Sequence, residues 1–372
     1  MFNRRKFLAN GVLAVSAACL NPHLAFAAGA ESGDKRFVFI IQRGAADGLA
    51  ILAPTGDPAY AGLRGDLAAD IATGTKLDSM FTLHPALAQT AKLYAAKEAL
   101  LVHAVASPYR DRSHFDGQNV LESGGLAAYR IKDGWINRLL GELHGGKAVA
   151  LSPTVPLALR GAVPVESYAP SNLPDASDDL LIRIGDLYAQ DRQLGPLWNQ
   201  ALAARAKAGD SGDAKGAAAA GTLAARLLGG PDGARVAMIE TNGWDTHNGQ
   251  RGRLTAQLTG LDSLLSALKS GLGPAWRDTM VIVATEFGRT ARANGTGGTD
   301  HGTGALAMIL GGAVTGGRVM ADWPGLAPQA LYDGRDLKPT MDLDVLITDS
   351  LARHFGLDPI RTSSILFPDR RA

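Results

Sequence analysis

The chain reads as an α/β protein with a largely parallel central sheet flanked by helices and one helical insertion. Three observations predict this. Nearly unbroken apolar runs recur along the chain, segments of helical apolar spacing lie between them, and titratable residues gather where the runs end. Strand, helix, strand with polar strand ends is the pattern of an open sheet whose site lies at its carboxyl edge.

The elements follow in order. "RFVFIIQ" (Arg36 to Gln42) ends in the turn-like "RGAADGL" and reads as a strand buried on both faces. "HPALAQTAKLYAAKEA" (His84 to Ala99) has helical spacing, and "LLVHAVA" (Leu100 to Ala106) is the next strand. "RVAMIETNG" and "TMVIVATEFG" are two more strands, joined by "NGQRGRLTAQLTGLDSLLSALKSGLG", which carries the 3.6-residue apolar period of an amphipathic helix. "ALAMILGG" is a further short strand. Between about Asp175 and Gly230 the composition shifts to Ala, Leu, Arg and Asp, which predicts a helical insertion on the side of the sheet, with "AGDSGDAKG" as a mobile loop.

Residues 1–27 stand apart from the fold. Paired Arg4 and Arg5, a modest apolar stretch and Ala25-Phe26-Ala27 read as a twin-arginine signal cleaved after Ala27, which predicts recognition by that export machinery and a periplasmic destination. A retained apolar anchor is the alternative, but the stretch is shorter than the ~20 residues a span needs, so no stable membrane span is expected in the mature form. Residues 28–372 are then expected to form a single α/β domain. Cleavage removes Cys19, the sole cysteine, and with it any disulfide, thiolate nucleophile or Cys-based metal site. Lys and Arg total 37 against 36 Asp and Glu, so no basic excess supports a nucleic-acid partner.

The strand ends collect one kind of chemistry. Asp47 follows the first strand; Arg112, Ser113 and His114 follow "LLVHAVA"; Asp245 and His247 follow "RVAMIE"; Glu286, then Asp300 and His301, follow "MVIVAT". Parallel strands would bring these positions to one edge. Carboxylates and imidazoles without thiols are the donors that hold zinc, manganese, magnesium or calcium with a position left open. Asp47, Asp245, His247, Glu286, Asp300 and His301 are accordingly the candidate ligands. Plainer roles stay open: Asp47 before Gly48 can form a turn, Asp245 can cap the following helix, and Asp300 can orient His301 from behind. His84, His103 and His144 read as structural or surface residues; His114 is left undecided. Arg43, Arg112 and Arg289 each lie beside an acid or histidine, placed either to grip a tetrahedral oxyanion or to pair with those acids.

The motifs "QRGAADGL", "RSHFDGQ", "GWDTHNGQ", "TEFGRT" and "GTDHG" resemble, in order and spacing, the exported bacterial family called domain of unknown function 1501. That family is similar in turn to the alkaline phosphatase and sulfatase superfamily. The resemblance implies an alkaline-phosphatase-like fold, one or two metals, and hydrolysis of phosphate or sulfate esters. It would set Asp47, Asp245, His247, Glu286 and His301 at metal-binding positions and make Ser113 the nucleophile, with Arg112 and Arg289 as catalytic partners. A small anionic ester or a decorated glycan would be the substrate. Two departures stand out: Asp245 and His247 are two apart where the superfamily spaces them four apart, and Phe287 occupies the place of a second-metal histidine. A non-catalytic binding or assembly protein on the same scaffold is the competing expectation.

Overall fold

The computed structural model describes residues 34–143, 146–169, 178–208, 216–230 and 232–371. The signal read over residues 1–27, His144 and most of the "AGDSGDAKG" loop lie outside the described residues.

The strands are β1 (Arg36–Gln42), β2 (Leu52–Ala53), β3 (Thr75–Lys76), β4 (Thr82–Leu83), β5 (Ala99–Ala106), β6 (Ala148–Leu151), β7 (Glu166–Ser167), β8 (Val236–Thr241), β9 (Thr279–Ala284), β10 (Ala305–Leu310), β11 (Arg318–Met320) and β12 (Met341–Asp342). Three short ones form a side sheet in the order β2-β4-β3. The rest form the main sheet in the order β11-β5-β10-β9-β1-β8-β6-β7, with β12 also pairing with β5. Strand β1 pairs parallel with both β8 and β9 at the sheet centre. Its alternate side chains enter two cores, each side chain worth about 1.5–3 kcal/mol of apolar burial. Phe37, Phe39 and Ile41 pack with Trp135 and Ile347 on one face, whereas Val38 and Ile40 pack with Leu258 and Leu265 on the other.

The sheet is largely parallel, as expected, and strand β10 is its antiparallel member, running against both its neighbours, β5 and β9. The physical reason is its connection. The chain leaves the carboxyl end of β9, loops through residues 285–304 without crossing the sheet, and so must enter β10 from that same edge. His301, just before β10, therefore sits beside the carboxyl ends of the other strands.

The helix Gln250–Leu272 turns Leu254, Leu258, Leu261, Leu265 and Leu268 inward, the stripe its apolar period predicts, and stops at Gly273 with φ of 53°. The insertion holds the helices Asp178–Tyr188, Leu194–Ala208 and Ala217–Leu228, the last buried through Leu223, Ala224, Leu227 and Leu228. The helix expected over His84 to Ala99 is shorter, Ala88–Ala95, since Pro85 and the turn around His84 precede it and β5 begins at Ala99. Among the described residues no helix is long and apolar enough to cross a membrane.

Candidate functional site

Five loops meet at the carboxyl edge: residues 43–47 after β1, 107–116 after β5, 242–249 after β8, 285–290 after β9, and 299–304 before β10. Their centre is the Asp245 carboxylate, with three imidazole edges turned toward it. His247 Nε2 lies 3.1 Å and His301 Nε2 3.5 Å from Asp245 Oδ1, and His114 Nε2 lies 3.6 Å from Oδ2. The Nε2 atoms of His247 and His301 are only 2.9 Å apart. His114, Asp245 and His301 bring one donor atom each within 4.8 Å of one another, the spacing a shared cation requires.

Each ring is held from behind through its other nitrogen. His114 Nδ1 is 2.8 Å from Glu286 Oε1, His247 Nδ1 is 3.1 Å from Asp300 Oδ1, and His301 Nδ1 is 2.9 Å from the Arg112 carbonyl oxygen. A carbonyl only accepts, so the His301 proton is on Nδ1. Carboxylates impose the same tautomer on His114 and His247. Held this way, each ring turns its Nε2 toward the others and the Asp245 oxygens, and in the neutral form offers a lone pair there. His114 Nε2 is buried and has no hydrogen-bond partner among the described residues. Acceptors at 2.9–3.6 Å with no proton between them repel, and a bound cation would remove that repulsion. The donor set of His114, Asp245 and His301 therefore fits a shared cation, with His247 Nε2 close to the last two.

The surroundings also act on the charge of these groups. Burial, together with the His114 ring and the Arg289 guanidinium, keeps the His301 pKa below its ordinary value. Burial alone would raise Asp245, but the Arg289 hydrogen bond and charge and the nearby His247 outweigh it and keep the carboxyl low. Burial pushes Glu286 the same way, and donors from His114, Gln118 and Gly44 again prevail and hold it below the usual range. Asp300 is lowered by the Asn294 amide against a smaller burial effect, with His247 adding to the lowering.

The sequence-derived candidates separate into distinct positions. Asp245, His247 and His301 face the centre. Asp300 stands behind His247 rather than behind His301. Glu286 is fully buried and its carboxylate is saturated: Oε1 accepts from Gly44 N (2.8 Å), Ala45 N (3.2 Å), His114 Nδ1 (2.8 Å) and Gln118 Nε2 (3.2 Å), and Oε2 from Thr285 Oγ1 (3.0 Å). It supports His114 instead of facing the centre. Asp47 caps its own short helix through Leu49 N and Ala50 N, pairs with buried Arg64 and accepts 2.6 Å from Gln250 Nε2, which uses its oxygens away from the cluster. Asp245 caps no helix, because the cap position belongs to Gly249.

The arginines are structural in their contacts. Arg289, 1% exposed, donates to the carbonyls of Ala45 (2.7 Å), Thr299 (3.0 Å), Gly44 (2.7 Å) and Trp244 (3.1 Å) and to Asp245 Oδ1 (2.5 Å). It ties three of the loops together and has little left for an oxyanion. Arg112 pairs with buried Asp336 (2.8 Å) and with Asp333 (3.2 Å), and Arg43 pairs with Glu122 and Glu240. Arg112 and Arg289, expected to act on the substrate, are each held by these internal partners in the structure. Ser113 occupies the N-cap of the helix His114–Ser123 without a side-chain bond to it, so the first turn of that helix is uncapped beside the cluster.

His114 is the central residue that sequence reasoning left undecided. Its signal was present in "RSHFD", a histidine opening a helix directly after a strand. Two glycines make the packing feasible. Gly44 has φ of 116° and lies so near Asp245 that a Cβ would come within 2.6 Å of its backbone nitrogen; a Cβ on Gly298 would overlap the His247 carbonyl. Ala45 and Arg112, both non-glycine, take φ of 56° and 59°, left-handed conformations of the kind that collect at sites.

With this geometry in place, comparison with known proteins gives the following. A family profile described as "Protein of unknown function (DUF1501)" matches residues 174–365. A comparison with curated proteins finds no match. Among solved structures, the chain is similar to a protein in the alkaline phosphatase superfamily from Vibrio parahaemolyticus, at 13% identity over 100% of this chain and 79% of that one, TM-score 0.43. It is similar to the phosphoglycerol transferase GacH of Streptococcus pyogenes in complex with sn-glycerol-1-phosphate, at 7% identity over 92% and 81%, TM-score 0.43. It is also similar to the phosphonate monoester hydrolase of Agrobacterium radiobacter, at 12% identity over 88% and 84%, TM-score 0.35.

Proposed function

Because the chain belongs to the DUF1501 family, whose description leaves the activity open, we propose from the site itself that it is a metal-dependent hydrolase of phosphate or sulfate esters. The observation that carries the reading is the convergence of three Nε2 lone pairs on the Asp245 carboxylate, each ring fixed in that tautomer from behind. His114, Asp245, His247 and His301 would hold the ion. Three imidazoles and a carboxylate suit zinc or another transition ion better than magnesium or calcium, which prefer all-oxygen shells. An ion there would polarise a phosphoryl or sulfuryl oxygen and stabilise the charge developing on it.

The remaining steps belong to the chain. Ser113 precedes His114, and its hydroxyl makes no bond to its own helix, so it is free to turn toward an ester as the attacking group. The uncapped first turn of His114–Ser123 presents N–H groups that favour an anion at that spot. Glu286 and Asp300 fix the rings and raise their basicity. The export reading goes with this one: the mature chain would act in the periplasm after twin-arginine transport.

One observation favours the second reading, a binding or assembly protein with a structural metal. Arg43, Arg112 and Arg289 are all engaged by internal partners, so none stands ready as an oxyanion clamp. The test is an assay of the full chain with p-nitrophenyl phosphate and p-nitrophenyl sulfate, before and after chelation and with each divalent ion restored. The hydrolase reading expects turnover that chelation abolishes, that an ion restores and that Ser113→Ala loses while keeping its metal. Bound metal without turnover of either ester would favour the structural reading.

A further inference from the structure

The loop that carries Asp300 has a second face. Away from the imidazoles it walls a cavity of about 730 Å³, whose apolar side is formed by Leu63, Leu326 and Leu331 and whose polar side includes Arg292 and Arg335. Asp300 belongs to both places, since it lines the cavity while its Oδ1 holds His247 Nδ1 at 3.1 Å. The ring edge and the cavity meet at an open rim, because the side chains of His247 and Asp300 are 42% and 52% exposed.

The charge of the cavity wall is positive. Asp300 is occupied by His247 and by the Asn294 amide at 3.1 Å. Arg335 donates one amino group to the His301 carbonyl (2.6 Å) and lies 3.4 Å from Asp336 with the other, yet its side chain remains 40% exposed. Arg292 is exposed; its carbonyl accepts from Thr290 Oγ1 at 2.9 Å, while its guanidinium makes no hydrogen bond or ion pair among the described residues. Two guanidinium groups beside an apolar wall suit an organic anion better than a neutral sugar.

We propose that this cavity receives the non-reacting half of the substrate, and that this half is itself anionic: an ester body with an apolar face and a carboxylate or second acidic group, taken by Arg292 and Arg335. The assignment rests on the hydrolase reading only for the reacting half, so the two are separable by experiment. Isophthalate, a dicarboxylate with no scissile ester, is titrated calorimetrically into chelator-treated full-length protein, wild type and Arg292→Ala. In parallel, the metal-loaded forms are given p-nitrophenyl phosphate and its ring-carboxylated analogue. Wild type should bind isophthalate and prefer the carboxylated ester. Arg292→Ala should bind isophthalate about tenfold more weakly and lose that preference, with unchanged metal content and unchanged turnover of the plain ester. Isophthalate binding that depends on Arg292, with no turnover of any ester, would keep the cavity as an organic-anion site and remove the hydrolase reading. Absent or Arg292-independent isophthalate binding, with equal turnover of both esters, overturns the cavity proposal and leaves the hydrolase standing.

Discussion

Glu286→Gln separates a residue that supports a ligand from one that is a ligand. The carboxylate receives five donors, four on Oε1 and one on Oε2, and glutamine can reproduce nearly all of them. Its amide oxygen takes the Oε1 position. Its amide nitrogen takes the Oε2 position and donates to Thr285 Oγ1, whose one proton, shared in wild type between Oε2 and the Gln42 carbonyl at 2.8 Å, then goes to that carbonyl alone. The metal-free variant should therefore melt within about 1 kcal/mol of wild type, as for exchange of one satisfied buried network for another. What is lost is the negative charge behind His114 Nδ1. Removing the outer carboxylate of a carboxylate-histidine-metal relay costs roughly 10- to 100-fold in affinity, or about 1.4–2.7 kcal/mol. Competition with a chromogenic chelator measures the affinity, and thermal unfolding of the chelated forms measures the stability. Undiminished affinity in Glu286→Gln would refute the relay, and loss of the folded metal-free state would refute the hydrogen-bond accounting.

Arg289→Ala should behave in the opposite manner, lowering the stability of the metal-free protein by about 3–5 kcal/mol, because buried carbonyls on three loops lose their donor; an unchanged urea midpoint would contradict its tying role. His354, which donates through Nε2 to the Arg36 carbonyl at 2.9 Å, has a pKa lowered to about 4, mainly by burial. The unfolded ring takes up its proton near pH 6.5 and the folded ring does not until about pH 4, so this stability is present above 6.5 and is lost as pH falls toward 4. Between about pH 7 and pH 5 the loss from this site is about 2 kcal/mol, and His354→Gln, which keeps a donor, should flatten the pH dependence of the urea midpoint by that amount; parallel curves would show that the ring is not held neutral. Replacing Arg4 and Arg5 together with Lys should leave uncleaved protein in the cytoplasm, scored by fractionation and blotting, and normal maturation would remove the export assignment.

The parts of the fold legible in the sequence are those where burial writes itself into composition. Strand β1 is read to the residue because both its faces are covered, so all seven positions lack the alternation of a half-exposed strand. The leucine stripe of Gln250–Leu272 is legible for the same reason. The direction of β10 is not, since "ALAMIL" has the same pattern whichever way it runs and only the path of residues 285–304 decides. Within the site, Asp245, His247 and His301 could be picked out because polar groups ending apolar strands need partners. Which carboxylate faces the centre and which stands behind was not legible. That distinction depends on His114 lying between Glu286 and Asp245, residues far apart in the chain whose convergence only the sheet provides. Arg289 illustrates the same limit: its five acceptors come from three separate segments, and a guanidinium beside an acid in sequence looks the same whether it will meet a substrate or a ring of carbonyls.

The central claim is that a divalent ion completes the ring of His114, Asp245, His247 and His301. Elemental analysis of the purified full-length protein by mass spectrometry, beside Asp245→Ala and His301→Ala prepared identically, tests it most directly. About one equivalent of a transition ion per wild-type chain, falling to background in both variants, is the result this arrangement requires. A wild-type protein that carries no metal and takes up none from zinc or manganese, or variants that keep the wild-type content, would mean that the facing nitrogens share protons instead.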